Sequence, residues 1–348
     1  MSKNILICPL DWGLGHATRC IPVIRELQSQ GHHVVIAGSG PSLDLLRIEF
    51  PSSKFHTIES YGINYSRHVP LMVHLFMKLP SLPSIIRKEN RQVASIVKSE
   101  NIDVIISDNR YGCYHKDIPS AIIIHQLSLQ LPLIMKGAAD SYNLRLIKKF
   151  RECWIPDTPD RKLGGILSTT KSKKIVPKFI GPLSRMTGNK TSTATFRVLG
   201  LVSGPEPQRT MFEEILFDQL NGSNLDYYVV RGLPSLKNSE HERSFTHLPS
   251  QQLNDLINAA EIVVSRPGYS TIMDLAILKK KAIFVPTPGQ TEQLYLAREL
   301  EKKKIAPMIL QRELSLTSAF SKLGEYSGFT DDYLKTNYLQ KTLREFLD

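Results

Sequence analysis

The sequence contains few cysteines, and they are not arranged as metal or redox sites require. Four are present, and no two of them form a C-x-x-C pair: Cys8, Cys20, Cys113 and Cys153. This spacing provides neither the usual zinc or redox motif nor the cysteine framework of a disulfide-rich domain. We therefore predict free thiols, no metal site, and a cytoplasmic protein from a reducing compartment.

Two further absences narrow the function. No segment reaches the roughly 18 consecutive apolar residues that a transmembrane helix needs. The phosphate-binding loop G-x-x-x-x-G-K-[ST] is absent as well, which argues against an ATPase.

The net charge is +11, but Lys and Arg are spread along the chain without a basic-aromatic signature, so no nucleic acid partner is predicted. An anionic membrane surface or acidic small molecules remain as explanations for the charge.

The pattern that the sequence does contain is an alternation of apolar runs and helical periodicity. Strand-like runs occur at 4–10, 33–38, 103–108 and 120–125, and a second series begins near residue 197. Continuous apolar strands separated by helices are typical of parallel sheets that are covered on both faces. The chain has 348 residues, enough for two such units. The predicted class is α/β, with two doubly wound Rossmann-like domains facing each other across a cleft.

The predicted domain boundary lies in a segment rich in Lys, Ser, Thr, Gly and Pro, at 172–196. We expect a first domain over 1–185, a second over 186–330, and a C-terminal helix within 331–348 that packs back on the first domain. In doubly wound folds, ligands bind outside the carboxyl ends of the strands. The cleft between the two domains is therefore the predicted ligand site.

Three strand-to-helix turns carry the residues that such a cleft would use. The first, DWGLGHATRC (11–20), has Thr18 where a dinucleotide-binding turn has its third glycine, and His16 directly after Gly15. The second, SRPGYSTIMDL (265–275), crowds hydroxyls and backbone N–H groups at a helix N-terminus, which favours anion binding. The third is PTPGQTEQLYLAREL. Each of the last two turns, taken alone, is explained by helix capping and by acidic residues in the first helical turn. Taken together, the two turns lie at one edge of the same predicted sheet, which favours a nucleotide-diphosphate site.

The segments GLGH, SRPGYSTIMDLA and PTPGQTEQLYLA resemble the glycosyltransferases of the B-type fold, and most closely those of family 28. That family includes the N-acetylglucosaminyltransferase that completes lipid II and the diacylglycerol glycosyltransferases. The resemblance implies an inverting transfer of a sugar from a UDP-sugar, such as UDP-N-acetylglucosamine, to a hydroxyl acceptor, without a metal ion or other cofactor. It also implies that the second domain binds the donor and the first domain binds the acceptor.

The same resemblance implies which residues bind the donor. The second turn binds the diphosphate, and Asp274 binds the hydroxyls of the ribose. The third turn contacts the donor sugar, and the backbone near Leu248 contacts the uracil. The loop at 203–210 is poorer in glycine than in the family, so we expect Arg209 to supply charge to the phosphates there. The predicted donor set is Ser203, Gly204, Arg209, Leu248, Ser265, Gly268, Ser270, Thr271, Asp274, Gln290, Glu292 and Gln293.

On the acceptor side, the resemblance implies that His16 is the base that deprotonates the acceptor hydroxyl, a task that suits imidazole. Asp108, which ends a strand-like run, is the predicted residue that orients it. Gly13 and Gly15 leave space for the acceptor, and His125 faces the cleft with an acceptor-binding role or none. The residues alone leave two alternatives open: a histidine that only stabilises a helix start, and an aspartate that only caps a turn.

The acceptor itself is predicted from a single segment. Residues 65–92 concentrate apolar and basic side chains, a composition that suits peripheral contact with an anionic membrane and a lipid-linked acceptor. A pair of core-facing helices with solvated basic faces explains the same pattern at least as well.

Three other functions fit parts of the sequence. UDP-sugar hydrolases of nonulosonic acid synthesis share a GxGHxxRC start with GLGHATRC, and there the histidine activates water. UDP-sugar 2-epimerases are a more distant alternative. A non-catalytic UDP-sugar sensor would need no base, so His16 argues against it. The strand end CPLDWG differs from the Arg-x-Asp-Ala-Ser-like start of the hydrolases and therefore favours transfer.

Overall fold

Both halves of the chain fold into parallel sheets. The computed structural model describes residues 1–62, 81–129, 133–170, 172, 174–188, 194–204, 206–233, 243–330 and 337–348. In these ranges the strands form one 7-stranded and one 5-stranded sheet, and the strand pairs are parallel. The α/β class with two parallel sheets, predicted from the sequence, is confirmed.

The first sheet consists of β1 (Asn4–Pro9), β2 (His33–Gly38), β3 (Lys54–Thr57), β4 (Val104–Asp108), β5 (Ser120–Ile123), β6 (Glu152–Ile155) and β7 (Lys178–Phe179). Its strand order is β3-β2-β1-β4-β5-β6-β7. The accompanying helices are α1 (Leu14–Ser29), α2 (Gly40–Glu49), α3 (Leu82–Ser99) and α4 (Leu133–Ile147). In β1, Ile5 and Ile7 belong to one apolar cluster and Leu6 and Cys8 to another. Successive strand residues point to opposite faces, so both faces are covered and β1 is continuously apolar.

The second sheet consists of β8 (Phe196–Leu201), β9 (Tyr227–Val230), β10 (Ser244–Phe245), β11 (Ala260–Ser265) and β12 (Lys281–Phe284), in the order β10-β9-β8-β11-β12. Its helices are α5 (Gln208–Asn221), α6 (Ser250–Ala259), α7 (Tyr269–Ile277), α8 (Thr291–Lys302) and α9 (Leu316–Lys322). Val198 and Leu199, adjacent in β8, again pack in different apolar clusters. This sheet is therefore also covered on both faces, as a doubly wound unit requires.

The last helix returns to the first sheet. In α10 (Tyr338–Leu347), the Phe346 ring packs edge-to-face on Trp154 of β6, with ring centroids 5.1 Å apart. Glu345 lies 3.7 Å from the ammonium group of Lys178 in β7. The first sheet ends at Phe179 and the second begins at Phe196. The boundary at 185/186 falls between them and stays a prediction.

The turn between β1 and α1 depends on a glycine. Gly13 has φ 77°, a left-handed conformation that glycine adopts without a Cβ clash, and α1 starts at the next residue.

Of the predicted membrane segment 65–92, residues 65–80 lie outside the described residues. The rest belongs mainly to α3, where Ile86 is buried in the core and Arg87 and Lys88 are exposed. This part of α3 has the pattern of a core-facing helix with a solvated basic face.

Candidate active site

The candidate site lies where the carboxyl ends of the two sheets face each other. Asp108 ends β4 and is in register with Pro9 of β1, so the turn that starts α1 comes next to it. His125 follows β5, the neighbouring strand. In the second sheet, α7 and α8 follow β11 and β12, which are also neighbours. Because parallel strands bring their carboxyl ends to one edge, these segments can meet in the cleft.

His16 and Asp108 form a hydrogen-bonded pair at this edge. His16 Nδ1 lies 2.8 Å from Asp108 Oδ1, and the carboxylate is fully buried. Arg19, one helical turn after His16, donates from Nε to Asp108 Oδ2 at 2.9 Å and from Nη2 to Oδ1. Burial opposes ionisation of Asp108, but Arg19 and His16 outweigh it and lower the pKa of the carboxyl to about 2. Asp108 is therefore an anion at neutral pH.

The surroundings of His16 favour a neutral imidazole. Burial lowers its pKa, the Arg19 cation lowers it further, and Asp108 acts in the opposite direction without reversing the shift. Arg19 Nη2 also lies 2.6 Å from His16 Nδ1. Nδ1 could donate to Asp108 or accept from Arg19, and we assign it as a donor because an anionic carboxylate is a stronger acceptor than an imidazole nitrogen; Arg19 Nη2 then donates to Asp108 Oδ1. This makes Nε2 the unprotonated nitrogen, which is the state that a general base needs.

A second histidine connects the two sheets. His125 Nε2 lies 2.9 Å from Glu292 Oε1 in the first turn of α8, and the His125 ring stacks on Tyr269 with centroids 4.5 Å apart. Arg19 Nη1 lies 3.0 Å from His125 Nδ1. Burial would raise the pKa of Glu292, but His125 and Arg19 outweigh it and hold the pKa below its usual range. Glu292 is thus an anion held against the first sheet.

The start of α7 also contacts the first sheet directly. Ser270 Oγ donates to the Gly15 carbonyl at 2.7 Å, and the Tyr269 hydroxyl donates to the Pro156 carbonyl at 3.1 Å. A Cβ at Gly15 would lie 3.2 Å from Ser270 Oγ, so a larger residue there would push the two turns apart. Gly268 is the N-cap of α7. The helix N-terminus that the sequence predicts as an anion site therefore adjoins the first turn of α1, which carries His16.

Buried polar atoms without partners lie near Asp274 on α7. Ser184 Oγ donates to Asp274 Oδ1 at 2.6 Å, and Arg185 Nε lies 3.9 Å from Oδ2. Arg185 Nε and Nη1 and His247 Nε2 are buried and have no hydrogen-bond partner within the described part of the chain. Burial, followed by the charge of Arg185, lowers the pKa of His247 to about 4. Unpartnered buried polar atoms are costly, so this cluster is suited to an oxygen-rich ligand.

Arg209 is engaged by carboxylates of its own helix region. It donates from Nε to Glu206 Oε1 at 2.5 Å and from Nη2 to Glu213 Oε2 at 3.1 Å. Ser203 and Gly204 lie in the same loop after β8. The arginine therefore has two anionic partners already, and the geometry adds no support to its predicted contact with phosphate, which stays a prediction.

The remaining predicted donor residues lie at the ends of their elements. Gln293 Oε1 accepts a hydrogen bond from the Thr287 amide at 2.8 Å and so braces the turn before α8. Ser250, near the predicted uracil segment, donates from its amide at 2.7 Å and from its hydroxyl at 2.5 Å to Glu49 Oε1 on α2. The other positions are Leu248 just before α6, Ser265 at the end of β11, Thr271 in α7 and Gln290 at the N-cap of α8.

The described residues carry no arrangement suited to a metal ion. Among them, no group of three or more His, Cys, Asp or Glu side chains could hold one. All four cysteines are free and buried. Within the same ranges, no helix is both long enough and apolar enough to cross a membrane. The residues that the structure adds to the predicted site are Arg19, Arg185 and His247.

Comparisons with known proteins show which proteins this chain is similar to in sequence and in fold. Residues 236–338 match the model described as the glycosyltransferase family 28 C-terminal domain. A UDP-N-acetylglucosamine-N-acetylmuramyl-(pentapeptide) pyrophosphoryl-undecaprenol N-acetylglucosamine transferase of Clostridium tetani is 22% identical over 342 residues. The alignment covers 92% of this chain and 89% of that relative. The relative thus matches both halves of the chain, and the family model matches the half with the predicted donor turns.

Solved structures share the fold of the whole chain. MurG of Acinetobacter baumannii has a TM-score of 0.59 at 13% identity, with 99% of each chain covered. Spinosyn rhamnosyltransferase SpnG complexed with thymidine diphosphate has a TM-score of 0.65 at 14% identity, covering 99% of this chain and 100% of that one. At these identities the solved structures establish the fold alone. The family model and the relative support a glycosyltransferase activity. The protein is therefore a glycosyltransferase of the B-type fold, and its residues 236–338 are similar to the family 28 C-terminal domain.

Proposed function

We propose that this glycosyltransferase moves a sugar from a UDP-sugar to a hydroxyl group of a lipid-linked acceptor, with inversion at the anomeric carbon and without a metal ion. The observation that carries the proposal is the His16–Asp108 pair beside the N-terminus of α7. A base on one side of the cleft and an anion-binding turn on the other are the two parts that a single displacement needs.

In this reaction His16 Nε2 takes the proton of the acceptor hydroxyl as the hydroxyl oxygen attacks the anomeric carbon. The bond between that carbon and the UDP oxygen breaks, and the electron pair leaves with the diphosphate. The N–H groups at the start of α7 stabilise this charge. Asp108 holds the Nδ1 hydrogen and stabilises the imidazolium that forms. Attack from the side opposite to the leaving group inverts the anomeric configuration.

The donor is held by α7 and by the polar cluster around Asp274. The Asp274 carboxylate accepts hydrogen bonds from ribose hydroxyls, and the unpartnered N–H groups of Arg185 are donors of the kind that a phosphate or ribose oxygen accepts. Glu292, as an anion in the first turn of α8, accepts from a hydroxyl of the sugar. These assignments extend the donor set that the sequence resemblance implies.

The acceptor is proposed from the relative and from charge. The printed name of the Clostridium tetani relative specifies UDP-N-acetylglucosamine and a pyrophosphoryl-undecaprenol-linked acceptor. That name supports the same donor and an acceptor on a polyisoprenyl diphosphate here. A net charge of +11 supports attraction to an anionic membrane surface. We place the reaction on the cytoplasmic side, with peripheral membrane contact through 65–92.

Product analysis tests the proposal against hydrolysis. The protein is incubated with individual UDP-sugars, with and without a lipid extract, and the products are identified by mass spectrometry. We expect UDP and a glycosylated lipid only when the extract is present. Release of free sugar at the same rate without any acceptor would contradict transfer and favour the hydrolase alternative.

We expect Asp274→Ala to weaken UDP binding by about 1–3 kcal/mol, the range for a buried polar partner left unsatisfied. The substitution removes the acceptor of the ribose hydroxyls and leaves Ser184 and Arg185 without their nearby carboxylate. Calorimetry measures the UDP affinity, with Asp255→Ala as the control because Asp255 is an exposed acid on α6. Unchanged affinity in a folded Asp274→Ala protein would remove the ribose assignment.

We expect turnover to survive EDTA. In the proposed mechanism the N-terminus of α7 and the cation of Arg185 stabilise the negative charge of the diphosphate. In other enzymes a divalent metal ion stabilises this charge. UDP release is measured before and after chelation, and then after addition of Mg²⁺ or Mn²⁺. Turnover that is lost on chelation and restored by either ion would contradict metal independence.

A further inference from the structure

Arg19 connects two parts of the site that come from different sheets. It is 2% exposed, and its planar guanidinium donates from two nitrogens to the two oxygens of Asp108. Its third nitrogen, Nη1, lies 3.0 Å from His125 Nδ1. His125 in turn reaches Glu292 through Nε2 at 2.9 Å. One arginine thus lies between the carboxylate behind the base and the histidine that holds the α8 carboxylate.

The contacts of His125 determine the direction of both of its hydrogen bonds. A guanidinium nitrogen only donates, so His125 Nδ1 must accept from Arg19. A neutral imidazole carries its hydrogen on the other nitrogen, so His125 Nε2–H donates to Glu292 Oε1. The opposite tautomer would set two donors against each other at Nδ1 and two acceptors at Nε2. Arg19 and the anionic Glu292 therefore require the same tautomer of His125, and the hydrogen bonds run from Arg19 through His125 to Glu292.

We propose that Arg19 is a positioning residue that sets the base and the α8 carboxylate in one hydrogen-bonded network across the cleft. It holds Asp108 behind His16, and it makes His125 a donor to Glu292, whose second oxygen then faces a hydroxyl of the sugar. The effect on transfer rests on the proposed function. The hydrogen-bond direction does not, because the contacts alone determine it.

Lysine could not take this place. Its ammonium is a compact charge that lacks the planar fork needed to contact both oxygens of Asp108 and the ring of His125 together. Arg19→Lys therefore keeps a cation beside His16 and loses the network, whereas Arg19→Gln loses both. The two variants separate the effect of charge from the effect of position.

Charge effects on His16 have a defined sign. The groups that face its imidazole are Arg19 on its own helix, Asp108 from β4, His125 after β5 and Glu292 from α8. Removing the Arg19 cation raises the pKa of His16 and moves the acid limb of kcat/KM to higher pH.

The first test uses the unmodified protein and needs no activity. Long-range ¹H–¹⁵N spectra of histidine-labelled protein report which ring nitrogen carries the hydrogen, and the His125 signals are assigned with His125→Asn. We expect His125 with a bare Nδ1 and a protonated Nε2. The opposite tautomer at neutral pH would overturn the proposal even if the protein transfers sugar, and the expected one would stand even if the proposed reaction were wrong.

The second test compares variants by their pH–rate profiles. For Arg19→Gln we expect an acid limb raised by about one pH unit and turnover reduced about 10²-fold near neutral pH. For Arg19→Lys we expect a similar loss of turnover with the acid limb nearly unmoved. KM for the donor should rise in both variants, because Glu292 loses its support.

The matched control is Arg110→Gln. Arg110 is equally buried on the same sheet edge and donates to Glu89, which is itself fully buried, so its loss removes a comparable buried ion pair. We expect Arg110→Gln to leave the acid limb and the His125 tautomer unchanged. A uniform loss of rate at all pH values in Arg19→Gln, matching that of Arg110→Gln, would reduce Arg19 to a structural residue and overturn the proposal.

Discussion

Replacement of His16 by alanine is expected to lower turnover by about 10²–10⁴-fold while leaving UDP affinity nearly unchanged. The variant lacks the imidazole that takes the acceptor proton in the proposed mechanism, whereas the proposed donor contacts lie on the second sheet and on Arg185. UDP release measures turnover, and calorimetry measures affinity. His33→Ala is the matched control, since His33 is an exposed histidine at the amino end of β2, at the opposite edge of the same sheet.

The partner of His16 refines this expectation. Asp108→Asn should slow turnover less than His16→Ala, because in the proposed mechanism Asp108 orients and polarises the base but takes no proton itself. Both substitutions together should cost little more than His16→Ala alone, since the two residues act as one unit. If His16→Ala instead loses UDP binding and turns over bound donor at the normal rate, His16 is a phosphate or structural contact. Asp108 and His125 would then be the next candidates for the base.

The parts of the molecule with a local sequence signal could be predicted. The strands β1, β4 and β11 are continuous apolar runs, because both faces of each sheet are covered, and the turns after β1 and β11 are marked by glycine and hydroxyl residues. Asp108 could be proposed as the partner of His16 because it ends a strand, and strand ends share an edge in a parallel sheet. The structure brings these two residues to within 2.8 Å.

Arg19 could not be predicted in the same way. Its partners Asp108 and His125 lie 89 and 106 positions further along the chain, and only the strand order brings them near α1. Nothing in a sequence distinguishes a buried arginine on a helix from an exposed one. Two local signals exist: Arg19 is the arginine of the GxGHxxRC start, and its spacing of three residues from His16 places both on one face of α1.

Arg209 illustrates the opposite situation, in which the charged partners of an arginine lie close to it in the sequence. Its partners Glu206 and Glu213 are three residues before it and four residues after it. Glu213 shares α5 with Arg209, and oppositely charged side chains four residues apart face each other on a helix, so this ion pair is predictable from the sequence. The predicted contact of Arg209 with the donor phosphates rests instead on the missing glycines of its loop.

The largest expected effect on stability comes from Asp108→Ala, which should lower the free energy of unfolding by about 3–5 kcal/mol. The substitution leaves the Arg19 cation buried without its carboxylate. Unfolding in urea is followed by tryptophan fluorescence. Both tryptophans, Trp12 and Trp154, belong to the half of the chain that forms the first sheet, so the signal reports on the half that contains Asp108.

A double variant tests whether the loss is that of an uncompensated charge. Arg19→Met/Asp108→Ala removes both charges, so it should be more stable than Asp108→Ala alone, although it lacks one more native side chain. A double variant that is less stable by the sum of the two single losses would mean that the two residues stabilise the fold independently of each other.

The pH dependence identifies the titrating group. Folding lowers the pKa of Asp108 from 3.8 to about 2, because Arg19 and His16 favour the anion more strongly than burial opposes it. A carboxylate of this kind stabilises the fold above its unfolded pKa, and this contribution is lost as the pH falls through the folded pKa. The difference in unfolding free energy between the unmodified protein and Asp108→Ala should therefore stay constant from about pH 8 to about pH 5 and shrink by about 2 kcal/mol toward about pH 2. A difference that instead shrinks near about pH 6, where imidazole ordinarily titrates, would assign the effect to His16 and contradict a permanently ionised Asp108.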